Sequence, residues 1–386
     1  MDDYEILCGI TLNRIFGYEP SAARALIRRF GSPGAVFSQS PGTLDEAFGP
    51  FNKFRPLICS SELETSEREW ASLKASGCRF AALGTSGYPA LLADCEDAPV
   101  GLYIRSLTPP EELWQTQECI SIVGTRDISP YGKDWTEKIV RALSFTEQKP
   151  VIVSGFAIGV DITAHLAALA FGLPTIAVLP VGIDSIYPWR HRYVAEQIVN
   201  TPGCALITDF PPGTSPQAFN FLRRNRIIAG ISRATILAES KAKGGGTMTA
   251  RLAASYGRDV FCLPGRIDDL RSAGCNRLIQ EKIAEPITEL EALPGQLGLK
   301  GSAQRSTPSA RERLEQCYSQ AGEDTLNTMQ QVYSLICEHR GITPEEISRE
   351  LDIDFGRVSA AVSLLECDGF INTDLLRRCC IDNKKF

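Results

Sequence analysis

Residues 119–155 read CISIVGTRDISPYGKDWTEKIVRALSFTEQKPVIVSG, and this stretch decides the fold. CISIVG (119–124) is a β-rich apolar run that does not alternate with polar residues. Such a run belongs to a strand covered on both faces. A turn follows, then GKDWTEKIVRALSF, which is long enough for a helix, and then a second apolar run, PVIVSG (150–155). The same rhythm continues outward through PTIAVLP (174–180), CALITDF (204–210), ATILAES (234–240) and DVFCLPG (259–265), with VDITAHLAALAFG as another helix-length spacer. Strand, crossover and strand with right-handed connections give an α/β, Rossmann-like doubly wound sheet, mostly parallel.

The flanks differ from this middle. SAARALIRRFGSPGAVF has helical spacing closed by a Gly-Ser-Pro-Gly break, and TSEREWASLKASG is a second helical pattern. A small helical domain over 1–75 is expected, followed by the sheet domain over 76–292, which begins with a connecting segment around LGTSGYPALLADCEDAP. Residues 293–325, rich in Gly, Ser, Pro and charge, are expected to be a linker. Beyond them, 326–386 has the cadence of three helices and a small hairpin, a winged helix-turn-helix. Thr343 is the expected N-cap, Pro344 the first helical residue and Glu346 the capping-box partner.

With 386 residues, 44% hydrophobic and 22% charged, the chain suits two or three globular domains. It lacks an apolar run of the ~20 residues that span a bilayer, and its start, MDDYEILCGI, is acidic where a signal peptide is basic. No membrane association and a cytoplasmic location are expected. Thirteen cysteines without a C-x-x-C pair, with three histidines, read as free thiols and supply no metal site. No cofactor is called for.

A net charge of -6 makes one basic cluster conspicuous: FNFLRRNRIIAGIS (219–232), with Arg223, Arg224, Asn225 and Arg226 together and no acid among them. Ligands of open parallel sheets bind beyond the carboxyl ends of the strands. There the chain places GTRDISPYGK, with Gly124 and Thr125 in a tight turn and Arg126 on the rim, then SGFAIGVD, and then KAKGGGTMTAR. Such loops offer N–H groups to a phosphate. The bland alternatives are ion pairs for the arginines, packing for His165, a place in the first helical turn for Asp161, and loop architecture for Asp184 and Tyr187. Core burial is expected for Phe219 and Phe221. The phosphate-binding loop G-x-x-x-x-G-K-[ST], a G-x-G-x-x-G after the first strand, a Ser–His–Asp set and a paired carboxylate are all missing, so no enzyme is expected.

VGTRDISPYG, SGFAIGVDITAH, VGIDSIYP, DFPPGTSP, NFLRRNRIIAGIS, GGGTMTAR, VFCLPG and GCNRLI occur in this order. Together they resemble the DprA/Smf family of DNA-processing proteins over about Ala98 to Glu285. The resemblance implies a SAM-like helical domain in front and a winged helix (DML1-like) behind. It implies a single-stranded-DNA-binding homodimer that protects incoming strands in natural transformation and loads the recombinase RecA. Other competence or single-strand-binding proteins would be further partners. The implied strand-binding set is Gly124, Thr125, Arg126, Ser129, Gly155, Arg223, Arg224, Asn225, Arg226, Gly246 and Thr247, with shaping the pocket an alternative to touching DNA for Arg224, Asn225 and Arg226. The chain departs from the family pattern at Thr208-Asp209-Phe210, where a Ser-Glu is usual, and at Gly245-Gly246, where a Ser-Gly pair loses its hydroxyl. It departs again after Asp184, in SIYPWRHR.

Asn327 to Asn372 carries three arginines against eight acids. That favours a protein-contact or regulatory role for the tail over duplex binding, although Arg377 and Arg378 on the wing speak for the duplex. A phosphoribohydrolase-like nucleotide enzyme is the main alternative for the sheet domain. Its P-G-G-x-G-T-x-x-E motif lacks the glutamate here, since Thr247 is followed by MTAR. A transcriptional regulator built on the tail is a third.

Overall fold

Five helices open the chain: α1 (Asp3–Ile15), α2 (Pro20–Phe30), α3 (Pro33–Phe37), α4 (Pro41–Phe48) and α5 (Ser60–Ala75). The Gly-Ser-Pro-Gly break works as its residues demand. Gly31 takes φ +97 to end α2, and the Ser32 hydroxyl accepts the Ala35 N–H to start α3. Leu12, Phe16, Ala23, Leu26, Val36 and Leu44 form the core of this layer. The structure is a computed structural model and describes residues 3–49, 51–114, 118–300, 314, 317–318, 322–339, 341–374 and 377–381.

Next come β1 (Arg79–Ala82), α6 (Ala90–Ala93), β2 (Gly101–Arg105) and α7 (Pro110–Leu113), with α6 inside the expected connecting segment and the two strands on either side of it. β1 and β2 pair antiparallel, and β2 pairs antiparallel with β6 (Ala205–Thr208). The remaining order is β3 (Cys119–Gly124), α8 (Pro130–Leu143), β4 (Val151–Ser154), α9 (Val160–Ala170), β5 (Thr175–Val178), α10 (Arg192–Val199), β6 (Ala205–Thr208), α11 (Ala218–Ile231), β7 (Ala234–Glu239), α12 (Gly245–Ser255), β8 (Asp259–Cys262), α13 (Ala273–Gln280) and β9 (Glu285–Pro286). The sheet runs β1-β2-β6-β5-β4-β3-β7-β8-β9, and every pairing from β6 to β9 is parallel. The expected doubly wound, mostly parallel sheet is present.

Alternate residues of one strand serve opposite layers. Ile120 and Ile122 pack with Ile139, Val140, Val160 and Ala164 of α8 and α9. Val123 packs with Ile227, Ile228, Ala250 and Ala253 of α11 and α12 on the other face. This two-sided cover is why the apolar runs are continuous. From β3 the chain steps through β4, β5 and β6 on one side, then returns by α11 to place β7 on the other side. The strand order therefore reverses between β3 and β7, where a crevice must open at the carboxyl ends.

The packed layer reaches further than the expected linker start. α14 (Leu293–Gln296) and the residues after it bury Leu293, Leu297 and Leu299 against the sheet, because these leucines complete the α8–α9 layer. Contacts divide the chain into Met1–Ser302 and Ala303–Phe386. Most of the remaining expected linker lies outside the described residues. The second unit contains α15 (Glu323–Glu338), α16 (Pro344–Leu351), α17 (Phe355–Cys367) and a hairpin of β10 (Ile371–Thr373) and β11 (Cys379–Ile381). Its core holds Met329, Val332, Ile336, Ile347, Val358, Val362 and Leu365. Thr343 and Glu346 form the expected capping box, with the Thr343 N–H donating to Glu346 Oε2 at 2.9 Å. Among the described residues, no helix is long and apolar enough to cross a membrane.

Candidate nucleic-acid interface

The crevice at the β3–β7 reversal is a cleft of about 740 Å³. Its β3 wall is the Gly124–Ser129 loop, and a buried acid holds that loop. Glu239, at the end of β7, accepts the Ser129 N–H at 2.8 Å and the Ser129 hydroxyl at 2.6 Å. Its backbone oxygen takes the Thr125 N–H at 2.7 Å. The Ser129 hydroxyl also caps α8 by accepting the Gly132 N–H. Gly124 leaves no space for a side chain, since a Cβ would lie 2.5 Å from Val160 and 2.7 Å from Glu239 O. The expected phosphate contacts of the Thr125 N–H and Ser129 are therefore corrected: these groups are spent inside the loop. What the loop presents is Arg126, exposed, with its guanidinium 4.6 Å from the centroid of the Phe221 ring.

The α11 arginines do not form one cluster. Successive residues of a helix are turned by about 100°, so Arg223 and Arg226 share one face and Phe221, Arg224, Asn225 and Ile228 another. The second set lines the cleft. On the first face, Arg223 Nη2 lies 2.8 Å and Arg226 Nη2 2.6 Å from the same oxygen of Asp209, whose side chain is fully buried. Arg226 also donates to Asp97 O, and Asn13 Nδ2 donates to Asp209 O at 2.7 Å. The Arg223 guanidinium lies between Tyr18 and Phe210, 4.5 and 4.8 Å from their ring centroids. For Arg223 and Arg226 the phosphate-facing expectation thus gives way to the ion-pair alternative, both being tied to one buried carboxylate.

Arg224 is the opposite case. It is buried, it makes no hydrogen bond or salt bridge with a described residue, and its Nε has no partner. Burial lowers its pKa to about 10 against the opposing pull of Asp161, so it remains a cation at neutral pH. Burial in turn raises the carboxyl of Asp161, with Arg224 and the Ala157 N–H pulling the other way. Gly155 exists to admit this arginine: a Cβ there would fall 1.4 Å from Arg224 Nη1. Its role is to make room and not to cradle a phosphate. His165 packs as expected. Thr175 gives its hydroxyl proton to Ile152 O and so accepts from His165 Nδ1 at 2.7 Å, and burial drops the imidazole pKa to about 3.

The third wall is the start of α12. Gly246 is packed, with a Cβ meeting Leu237 at 2.8 Å and Gly124 Cα at 2.9 Å. Thr247 is buried, with its hydroxyl oxygen within hydrogen-bond distance of Ser240 Oγ at 2.9 Å and Lys241 O at 3.0 Å. Thr247 is framework, while Gly246 lines the cleft together with Gly245, which is open. Sequence reasoning missed Lys241 and Lys243, which line the cleft, although a Lys-x-Lys directly after the strand at the reversal was a usable signal. It also misplaced two rings. Phe221 is half-buried in the cleft wall beside Tyr187, with ring centroids 5.5 Å apart, and Phe219 is 58% exposed. Arg126, Arg224, Lys241 and Lys243 thus face Asp127 and Asp161, and Asp127 is engaged by Arg271 at 3.3 Å. Such an arrangement binds an anion beside flat, apolar surface. Among the described residues no His, Cys, Asp and Glu group could hold a metal ion.

Known proteins share sequence and fold with this chain. The chain is 40% identical over 194 residues to the DNA processing protein DprA of Streptococcus pneumoniae, covering 50% of this chain and 66% of that one. It is 32% identical over 307 residues to the protein Smf of Synechocystis, covering 74% and 76%. The crystal structure of the pneumococcal DprA aligns with a TM-score of 0.63 at 30% identity, covering 76% of this chain and 97% of that one. The DNA processing protein A of Helicobacter pylori, whose structure concerns its single-stranded DNA binding mode, aligns with a TM-score of 0.50 at 30% identity, over 57% and 95%. The family model described as DNA recombination-mediator protein A matches residues 79–297, more than half of the chain and the whole of the cleft, and the chain belongs to that family.

Proposed function

We propose that the cleft grips the sugar-phosphate backbone of single-stranded DNA without chemistry, and that the protein holds an incoming strand for recombination. The observation that carries this reading is the Arg126 guanidinium over the Phe221 ring in an open cationic cleft. A planar cation can fork onto phosphate while rings beside it stack on bases. Phe221 and Tyr187 can meet base faces only in an unpaired strand, because a duplex hides those faces. The Helicobacter pylori relative's single-strand binding mode supports the same ligand.

On this reading the bound strand is protected during transformation and handed to RecA. A single cleft makes few contacts, so a homodimer would raise avidity by placing two clefts on one strand. The acidic second unit would then meet protein partners rather than duplex DNA. The test compares an oligo-dT with a duplex of equal length at one salt concentration, alongside the mass of the protein in solution. Preference for the single strand and a dimer mass are expected. Preference for the duplex would overturn the ligand assignment.

A further inference from the structure

We propose that Tyr18 and Phe219 form a base-stacking ledge beside the cleft, on which the unpaired strand continues, so that the N-terminal helices take part in binding DNA. The proposal rests on the reading of the cleft as a strand site. Ala218, Phe221 and Leu222 of α11 line that cleft, and Phe219 stands between them in the chain. Its ring reaches instead to Tyr18, in the turn between α1 and α2, with centroids 5.9 Å apart and planes tilted by 34°. Both rings are more than half exposed, at 58% and 63%. The pair therefore has a free surface continuous, along one helix, with the wall of the cleft.

The ledge is also held in place before any ligand arrives. Arg223 lies against the Tyr18 ring and is tied to buried Asp209. The backbone before Tyr18 fits closely over the same guanidinium: a Cβ at Gly17 would sit 3.3 Å from Arg223 Nη2 and 3.0 Å from Asn13 O. Rings that need no ordering on binding lose less entropy when a flat partner stacks on them. Nucleobases are such partners, and stacking on exposed aromatic side chains is tolerant of sequence.

The experiment measures binding of the full chain to an oligo-dT and to an abasic strand of equal length that keeps every phosphate and lacks the bases. Tyr18→Ala/Phe219→Ala is expected to weaken oligo-dT binding by about tenfold or more and to leave abasic binding at the native level. A Phe219→Tyr variant, which keeps the ring, is expected to bind both strands as the native chain does. Native affinity of the double variant for oligo-dT would overturn the ledge. Equal losses on both strands would also overturn it, and a changed mass in solution would then make the rings a contact between copies. Arg126→Ala separates the two readings, since it must weaken both strands. If it weakens neither, the cleft reading fails whatever the rings do.

Discussion

Gly155 has no room for a methyl group, because the space belongs to Arg224. Gly155→Ala must push the guanidinium aside, and overpacking of this kind costs about 1–3 kcal/mol. Urea unfolding is expected to show that loss, with weaker strand binding alongside it. In an Arg224→Ala background the same substitution is expected to cost little, because the clash is gone. His165 yields a prediction in pH. Its folded pKa of about 3 lies below the ordinary 6.5, so between those values the unfolded chain holds more protons and stability falls as pH drops. From pH 7 to pH 5 the loss is about 2 kcal/mol. The raised carboxyl of Asp161 acts in the opposite direction, gaining stability as pH falls. Comparing native chain with His165→Gln isolates the imidazole: the variant is expected to lose this component of the slope. The packing role of His165 was legible from its mid-helix setting. The role of Gly155 was not, since a glycine after a strand looks the same whether it faces a phosphate or a guanidinium.

At the scale of elements, α11 does two jobs with its two faces. One face carries Arg224, Asn225 and Phe221 to the cleft, and the other ties Arg223 and Arg226 to Asp209, with Asn13 of α1 on the Asp209 backbone. Removing one partner from a buried ion pair leaves an uncompensated charge and costs about 3–5 kcal/mol. Asp209→Asn is therefore expected to lower the urea midpoint and to make the N-terminal helices more open to limited proteolysis. An unchanged midpoint would show that the two guanidinium groups do not need the carboxylate. The helical periodicity of 219–232 already separates these faces, so the division was available in the sequence. The pairing with Asp209 was not, because a contact across the fold leaves no mark in local spacing. β1 and β2 were missed for a different reason. They are short, antiparallel and embedded among glycines and prolines, and so resemble connecting chain.

For the molecule as a whole, the parallel sheet was legible because burial on both faces leaves the central strands mostly apolar. The few polar side chains in them, such as Ser121 and Thr235, are buried and hydrogen-bonded. The reversal of strand order between β3 and β7 then gives the site its position before any side chain is considered. Which cations meet there depends on long-range packing, and it selects Arg126, Arg224, Lys241 and Lys243 in place of an arginine cluster on one helix. Arg126 is the exposed guanidinium of this set and lies over the Phe221 ring. The central claim is tested most directly by the slope of log affinity for oligo-dT against log salt concentration, measured for the native chain and for Arg126→Ala. The variant is expected to bind more weakly, with a slope smaller by about 0.7 for one lost phosphate contact. Equal affinity and equal slope would contradict a strand held in the cleft.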